Sequence, residues 1–122
     1  MPDSPTVVLV VEDEAFIRMI AADTLAENGF AVIEAEDAAT ALGLLDEHSE
    51  VRVMFTDINM PGDINGLDLA EIVATRRPEI RLIVTSGARR LETGDLPDNG
   101  IYLAKPYRPA ELAAVVRGQI QP

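Results

Sequence analysis

Five short apolar runs, several rich in β-branched residues, alternate with segments of helical period, and few folds accept that order. The runs are Thr6–Val11, Ala31–Ala35, Val51–Thr56, Arg81–Ser86 and Ile101–Ala104. Thr6–Val11 (TVVLVV) is apolar without alternation, the pattern of a strand covered on both faces. After it, Ile17, Ile20, Ala21, Thr24 and Leu25 recur at helix spacing, and Asn28-Gly29 supplies a stop. Asp37 suits the N-cap of a second helix, with Ala38, Ala41, Leu42 and Leu45 on one face. The loop Asn59–Gly66, which holds Pro61, Gly62 and Gly66, leads to a third helix. That helix carries Leu69, Ile72 and Val73 and ends before Pro78. Pro109 opens a last helix, with Leu112, Val115 and Val116 inward. Between the fourth and fifth runs, Gly87–Gly100 shows little periodicity and has room for at most one short helix, around Arg89–Thr93.

Strands that alternate with helices call for an α/β fold with a parallel sheet covered on both faces. Right-handed crossovers narrow the topology to a doubly wound, flavodoxin-like five-stranded sheet of order 2-1-3-4-5, here with a reduced fourth helix. At 122 residues the expectation is one domain over 1–122, with residues 1–5 as a flexible tail and no output domain. The formal net charge of -11 opposes binding to nucleic acid or anionic membranes. With no cysteine, disulfides, thiolate zinc sites and cysteine catalysis are excluded. Met1–Pro5 lacks a basic n-region, and the longest apolar run, Val7–Val11, is too short to cross a bilayer. Cytoplasmic residence is the default expectation.

Four of the five runs end in groups that handle phosphate or metal. Glu12-Asp13 follows the first, Asp57 the third, Thr85-Ser86 closes the fourth and Lys105 follows the fifth. In a parallel sheet all of them meet outside the carboxyl ends of the strands, where ligands of open α/β sheets bind. Each also has a blander role. Glu12-Asp13, followed by Glu14, suits a helix N-terminus, and taken alone capping is the commoner use. Asp57 can start an Asx-turn, or act as a carboxylate nucleophile toward phosphorus. An EF-hand reading of Asp57, Asn59 and Gly62 is discounted, because Pro61 occupies a ligand position and the segment follows a strand. Hydroxyls at a strand end are more often structural, and a strand-end lysine is usually a solvated charge. Together, three carboxylates suit a hard oxygen-liking ion such as Mg²⁺, and Lys105 is the cation available to Asp57 or a bound phosphate. No Walker-type or G-x-G-x-x-G loop is present, and His48 is the single histidine.

The ordered pieces Val10-Val-Glu-Asp-Glu14, Asp57-Ile-Asn-Met-Pro-Gly62, Gly66-Leu67, Val84-Thr-Ser-Gly87 and Tyr102-Leu-Ala-Lys-Pro-Tyr107 form a specific set. From about Thr6 to Ile120 the chain resembles a receiver domain of a two-component response regulator, of the stand-alone chemotaxis-regulator kind. The resemblance implies a (βα)₅ fold and a signalling switch rather than a turnover enzyme. It implies phosphorylation of Asp57 by a histidine kinase or phosphotransfer protein. It implies Mg²⁺, with Mn²⁺ as a second candidate, held by Asp13, Asp57 and the backbone carbonyl of Asn59, with Glu12 acting directly or through water. Lys105 is implied as the phosphate partner, before a cis Pro106. Ser86, rather than Thr85, falls on the switch hydroxyl, and Tyr102 on the aromatic that changes rotamer. The partners implied are the phosphodonor and a downstream protein, without nucleic acid or membrane, for a monomer or weak dimer.

Three departures accompany the resemblance: Glu12 where many relatives have Asp, a Gly62–Asn65 loop one residue longer, and a short stretch between Ser86 and Tyr102. A Mg²⁺-dependent phosphatase or phosphomutase with an aspartyl nucleophile is the enzyme-class alternative. Haloacid-dehalogenase enzymes usually carry a second Asp two residues on, where this chain has Asn59. A flavin or nucleotide module is the third reading, opposed by the acidic loop Glu12-Asp13-Glu14.

Overall fold

The structure, a computed structural model, describes residues 5–87, 96–97 and 100–120. In chain order the elements are β1 (Val7–Val11), α1 (Ala15–Glu27), β2 (Ala31–Ala35), α2 (Ala38–Glu47) and β3 (Val51–Asp57). Then follow α3 (Gly66–Arg76), β4 (Arg81–Ser86), β5 (Ile101–Ala104) and α4 (Pro109–Ile120). All four strand pairings are parallel, in the order β2-β1-β3-β4-β5. This is the flavodoxin-like sheet expected from the sequence. The short helix expected around Arg89–Thr93, and with it the reduced fourth helix, lies outside the described residues.

The strands are apolar on both faces because each face has its own core. On one side Leu9, Val11, Met54, Leu82 and Val84 pack with Ala38, Ala41 and Leu45 of α2 and Leu69, Ala70 and Val73 of α3. On the other, Val8, Val10, Val53, Phe55, Ile83 and Leu103 pack with Ala21 and Leu25 of α1 and Leu112 and Val116 of α4. Strand alternation sorts neighbouring residues between these two cores.

Helix α1 buries Ala21, Thr24 and Leu25 of the face the sequence suggests, and departs from it at Ile20. Ala21, Ala22, Thr24 and Leu25 are buried, Ile17 is half-buried, and Ile20 is 43% exposed, beside Phe16 at 68% and Met19 at 48%. Asp37 caps α2 by accepting the Thr40 amide at 2.8 Å, and Asn65 with Asp68 forms a capping box on α3.

Gly66 fixes how closely α3 approaches β3. Its amide donates to the Ile58 carbonyl at 2.9 Å. A Cβ there would lie 1.9 Å from the Asp57 carbonyl oxygen and 2.8 Å from the Ile58 Cα. Gly66→Ala is therefore expected to destabilise the fold by about 1–3 kcal/mol, the range for forced overpacking. Gly43, exposed within α2, has nothing within 4 Å of a built Cβ. Gly43→Ala is expected to stabilise by up to about 1 kcal/mol through helix propensity. Urea titration of both variants against the parent checks the opposite signs.

Candidate functional site

The columns of the α1/α4-facing core run on past the strand ends and deliver the polar groups. Val8 and Val10 lead to Glu12, Val53 and Phe55 to Asp57, Ile83 to Thr85, and Leu103 to Lys105. Backbone bonds extend the ladders to hold the ends in place. Glu12 N–H donates to Ala35 at 3.0 Å, Ile58 N–H to Thr85 at 3.0 Å, and Lys105 N–H to Ser86 at 3.2 Å. The Lys105–Pro106 peptide is cis.

At the centre, Lys105 Nζ donates to Asp57 Oδ2 at 3.0 Å and stands 3.8 Å from Glu12 Oε2. Asp57 Oδ1 accepts the Asn59 backbone N–H at 3.2 Å. Carboxylate oxygens of Glu12, Asp13 and Asp57 all lie within 4.8 Å of one another. Glu12 and Asp57 are each 5% exposed, whereas Asp13 faces solvent. Arg18 of α1 braces the end of β1, donating to the Glu12 carbonyl at 2.7 Å and pairing with Glu34 at 3.3 Å.

Burial, then the hydrogen bond and charge of Asp57, push Glu12 up to about 8 against the opposing pull of Lys105. Glu12 Oε1 is buried and has no hydrogen-bond partner among the described residues. A proton on Glu12 relieves this by donating to Asp57, and a divalent cation among the three carboxylates would relieve it in the same way. The donor set is all oxygen, partly buried and open through Asp13, which fits Mg²⁺. For Lys105, burial pulls downward. The hydrogen bond to Asp57 and the charges of Glu12, Asp57 and Glu14 outweigh it and hold the ammonium above its ordinary value. Tyr107, edge-on to Phe55 with ring centroids 5.7 Å apart, is pushed up to about 12 by burial and by the charges of Glu12 and Asp57.

Ser86 closes β4 on the opposite face from Thr85, the face of Val84 and Tyr102. Its hydroxyl accepts from Asn59 Nδ2 at 3.5 Å, and its carbonyl accepts the Tyr102 hydroxyl at 2.8 Å. The structure thus brings Glu12, Asp13, Asp57 and Lys105 together directly, and joins Ser86 and Tyr102 to them through Asn59. Sequence reasoning missed Arg18 and the side-chain amide of Asn59. Arg18 stands four residues after Glu14, a spacing that suggests a surface ion pair along the helix, whereas tertiary packing turns it onto the end of β1.

A doubly wound sheet with an aspartate, two further carboxylates and a lysine at its carboxyl edge suits a phosphoryl group and a divalent cation, the features of a receiver-type domain. The chain belongs to the response regulator receiver domain family, whose model matches residues 8–117. It is 36% identical over 110 residues to the chemotaxis protein CheY1 of Helicobacter pylori, covering 85% of this chain and 88% of that one. It is 33% identical over 115 residues to the transcriptional regulatory protein PdtaR of Mycobacterium tuberculosis, covering 92% of this chain and 55% of the relative. Among solved structures, the receiver domain of NtrX from Brucella abortus superposes with a TM-score of 0.83 at 28% identity, covering 93% of this chain and 97% of that one. Nothing in these likenesses favours the phosphatase alternative.

Proposed function

We propose that the chain, read as one receiver unit, is a switch that accepts a phosphoryl group on Asp57. The observation that carries this reading is the Lys105–Asp57 bond inside a cluster of three carboxylates at the sheet edge. In the transfer, a lone pair of one Asp57 oxygen forms an O–P bond while the donor's P–N bond breaks. That bonding pair leaves with the donor, a phosphohistidine of a histidine kinase or phosphotransfer protein. Asp13, Asp57 and the Asn59 carbonyl would hold Mg²⁺ (Mn²⁺ is the second candidate), with Glu12 directly or through water. When bound, the ion would supply positive charge to offset that of the acceptor and the phosphoryl group. Lys105 then holds a phosphoryl oxygen as a point charge.

The output is a change in affinity for a downstream protein rather than turnover. Ser86 donates to a phosphoryl oxygen, and Tyr102, bonded to the Ser86 carbonyl, follows its movement. No described helix is long and apolar enough to cross a membrane, and the acidic surface suits a protein partner better than a polyanion.

Reaction with acetyl phosphate and Mg²⁺ is expected to raise the intact mass by one phosphoryl group in the parent and not in Asp57→Asn. Undiminished labelling of Asp57→Asn would place the acceptor elsewhere. Ser86→Ala is expected to accept phosphate on Asp57 yet lose the response. The hydrogen bond it removes is worth about 1.5–3 kcal/mol with a charged acceptor, enough to reset a switch whose states differ by a few kcal/mol. Backbone amide shifts from Ser86 to Tyr102 check this, and full-sized changes in Ser86→Ala would contradict it.

A further inference from the structure

Thr85 carries a functional group that the phosphoacceptor reading leaves unused. It is 1% exposed, and its hydroxyl oxygen is buried without a hydrogen-bond partner among the described residues. Its backbone is engaged, since its carbonyl accepts the Ile58 amide. It pairs laterally with Asp57 on β3 and with Leu103 on β5. Residues paired this way stand about 4.8 Å apart and present their side chains to one face. The Thr85 side chain therefore stands beside that of Asp57, over the core of Phe55, Ile83 and Leu103. Ser86, the next residue, faces the other way, so the two adjacent hydroxyls serve different groups.

A buried hydroxyl with no bond destabilises the fold, and a valine of the same shape would not. A threonine tolerated here calls for a state in which the bond is made. In the state described, both Asp57 oxygens have donors, Lys105 on Oδ2 and the Asn59 amide on Oδ1. Phosphoryl transfer changes that balance. One Asp57 oxygen becomes bonded to phosphorus, and negative charge moves outward onto the phosphoryl oxygens. The Lys105 ammonium, on a flexible stem, follows the charge. The Asp57 oxygen it leaves is then a buried carbonyl with two lone pairs: a cation held at Asp57 would take one, and the other lacks a donor.

We propose that Thr85 is a positioning residue whose hydroxyl donates to this Asp57 oxygen in the phosphorylated form, replacing Lys105 and releasing it to the phosphoryl group. The proposal rests on Asp57 as the acceptor. It assigns the two hydroxyls separate tasks: Thr85 stabilises the modified acceptor, and Ser86 transmits the change.

The test is the equilibrium affinity for beryllofluoride, formed from beryllium and fluoride with Mg²⁺, which bonds a carboxylate oxygen as a phosphoryl group does. Thr85→Val is expected to bind it about three- to tenfold more weakly, the range one neutral hydrogen bond supplies. Thr85→Ser is expected to restore parental affinity. In the absence of beryllofluoride, Thr85→Val is expected to melt at or above the parent, because the unmade bond is gone. A merely structural role would instead lower affinity and melting temperature together, without rescue by serine, and that result overturns the proposal. Parental affinity in Thr85→Val overturns it equally. A parent that does not bind beryllofluoride overturns the phosphoacceptor reading itself, and this inference with it.

Discussion

The site depends on holding three carboxylates together against their mutual repulsion in a chain that is already strongly acidic. Glu12, Asp13 and Asp57 approach within 4.8 Å, and two of them are almost fully buried. Among the described residues Lys105 is the cation bonded to Asp57 within that cluster. Its ammonium compensates one carboxylate fully and a second at longer range. The remainder is met by a proton on Glu12, or by a divalent ion. The cluster is therefore held in a state that an incoming cation or phosphoryl group can reorganise, which is what a switch requires.

The rest of the fold serves that edge. Two cores clamp the strands beneath the site, so a change of charge there is expressed at the strand ends and the loops beyond them. Gly66 brings α3 against the backbone of Asp57, Arg18 braces the end of β1, and the Asn59 amide orients Asp57. The first two join backbone at the strand ends to helices α3 and α1. Hydrogen bonds connect Asp57 to Asn59, Asn59 to Ser86, and the Ser86 carbonyl to Tyr102.

Much of this was legible in the sequence, for a physical reason. Strands buried on both faces show as unbroken apolar runs, and the observed strands agree with those runs to within a residue: β1 begins at Val7 rather than Thr6, and β3 includes Asp57. Because the strands are parallel, their ends share one edge, so the polar groups that follow them could be placed together before any coordinates. Less legible was whatever depends on rotation about an axis. Helix α1 has apolar residues on two faces, and spacing alone grouped Ile20 with Ala21, Thr24 and Leu25, whereas Ile20 is exposed and Ala22 is buried beside them. Thr85 and Ser86 read as one hydroxyl pair in the sequence. Only the strand register shows that Thr85 shares a face with Asp57. The burial of Glu12, and the raised proton affinity that follows from it, likewise needed the packing of α1 and α4 over the strand ends.

The most direct measurement is thermal unfolding of the parent and of Asp13→Asn across a range of Mg²⁺ concentrations. Asp13 is exposed, so its replacement leaves the core untouched while removing one charge from the cluster. Mg²⁺ is expected to raise the melting temperature of the parent, with about 2.7 kcal/mol of added stability at one hundred times the dissociation constant. Asp13→Asn is expected to melt at or above the parent without the ion and to gain much less from it. A parent indifferent to Mg²⁺, or a variant stabilised as fully as the parent, would contradict a cation-organised carboxylate cluster as the basis of the switch.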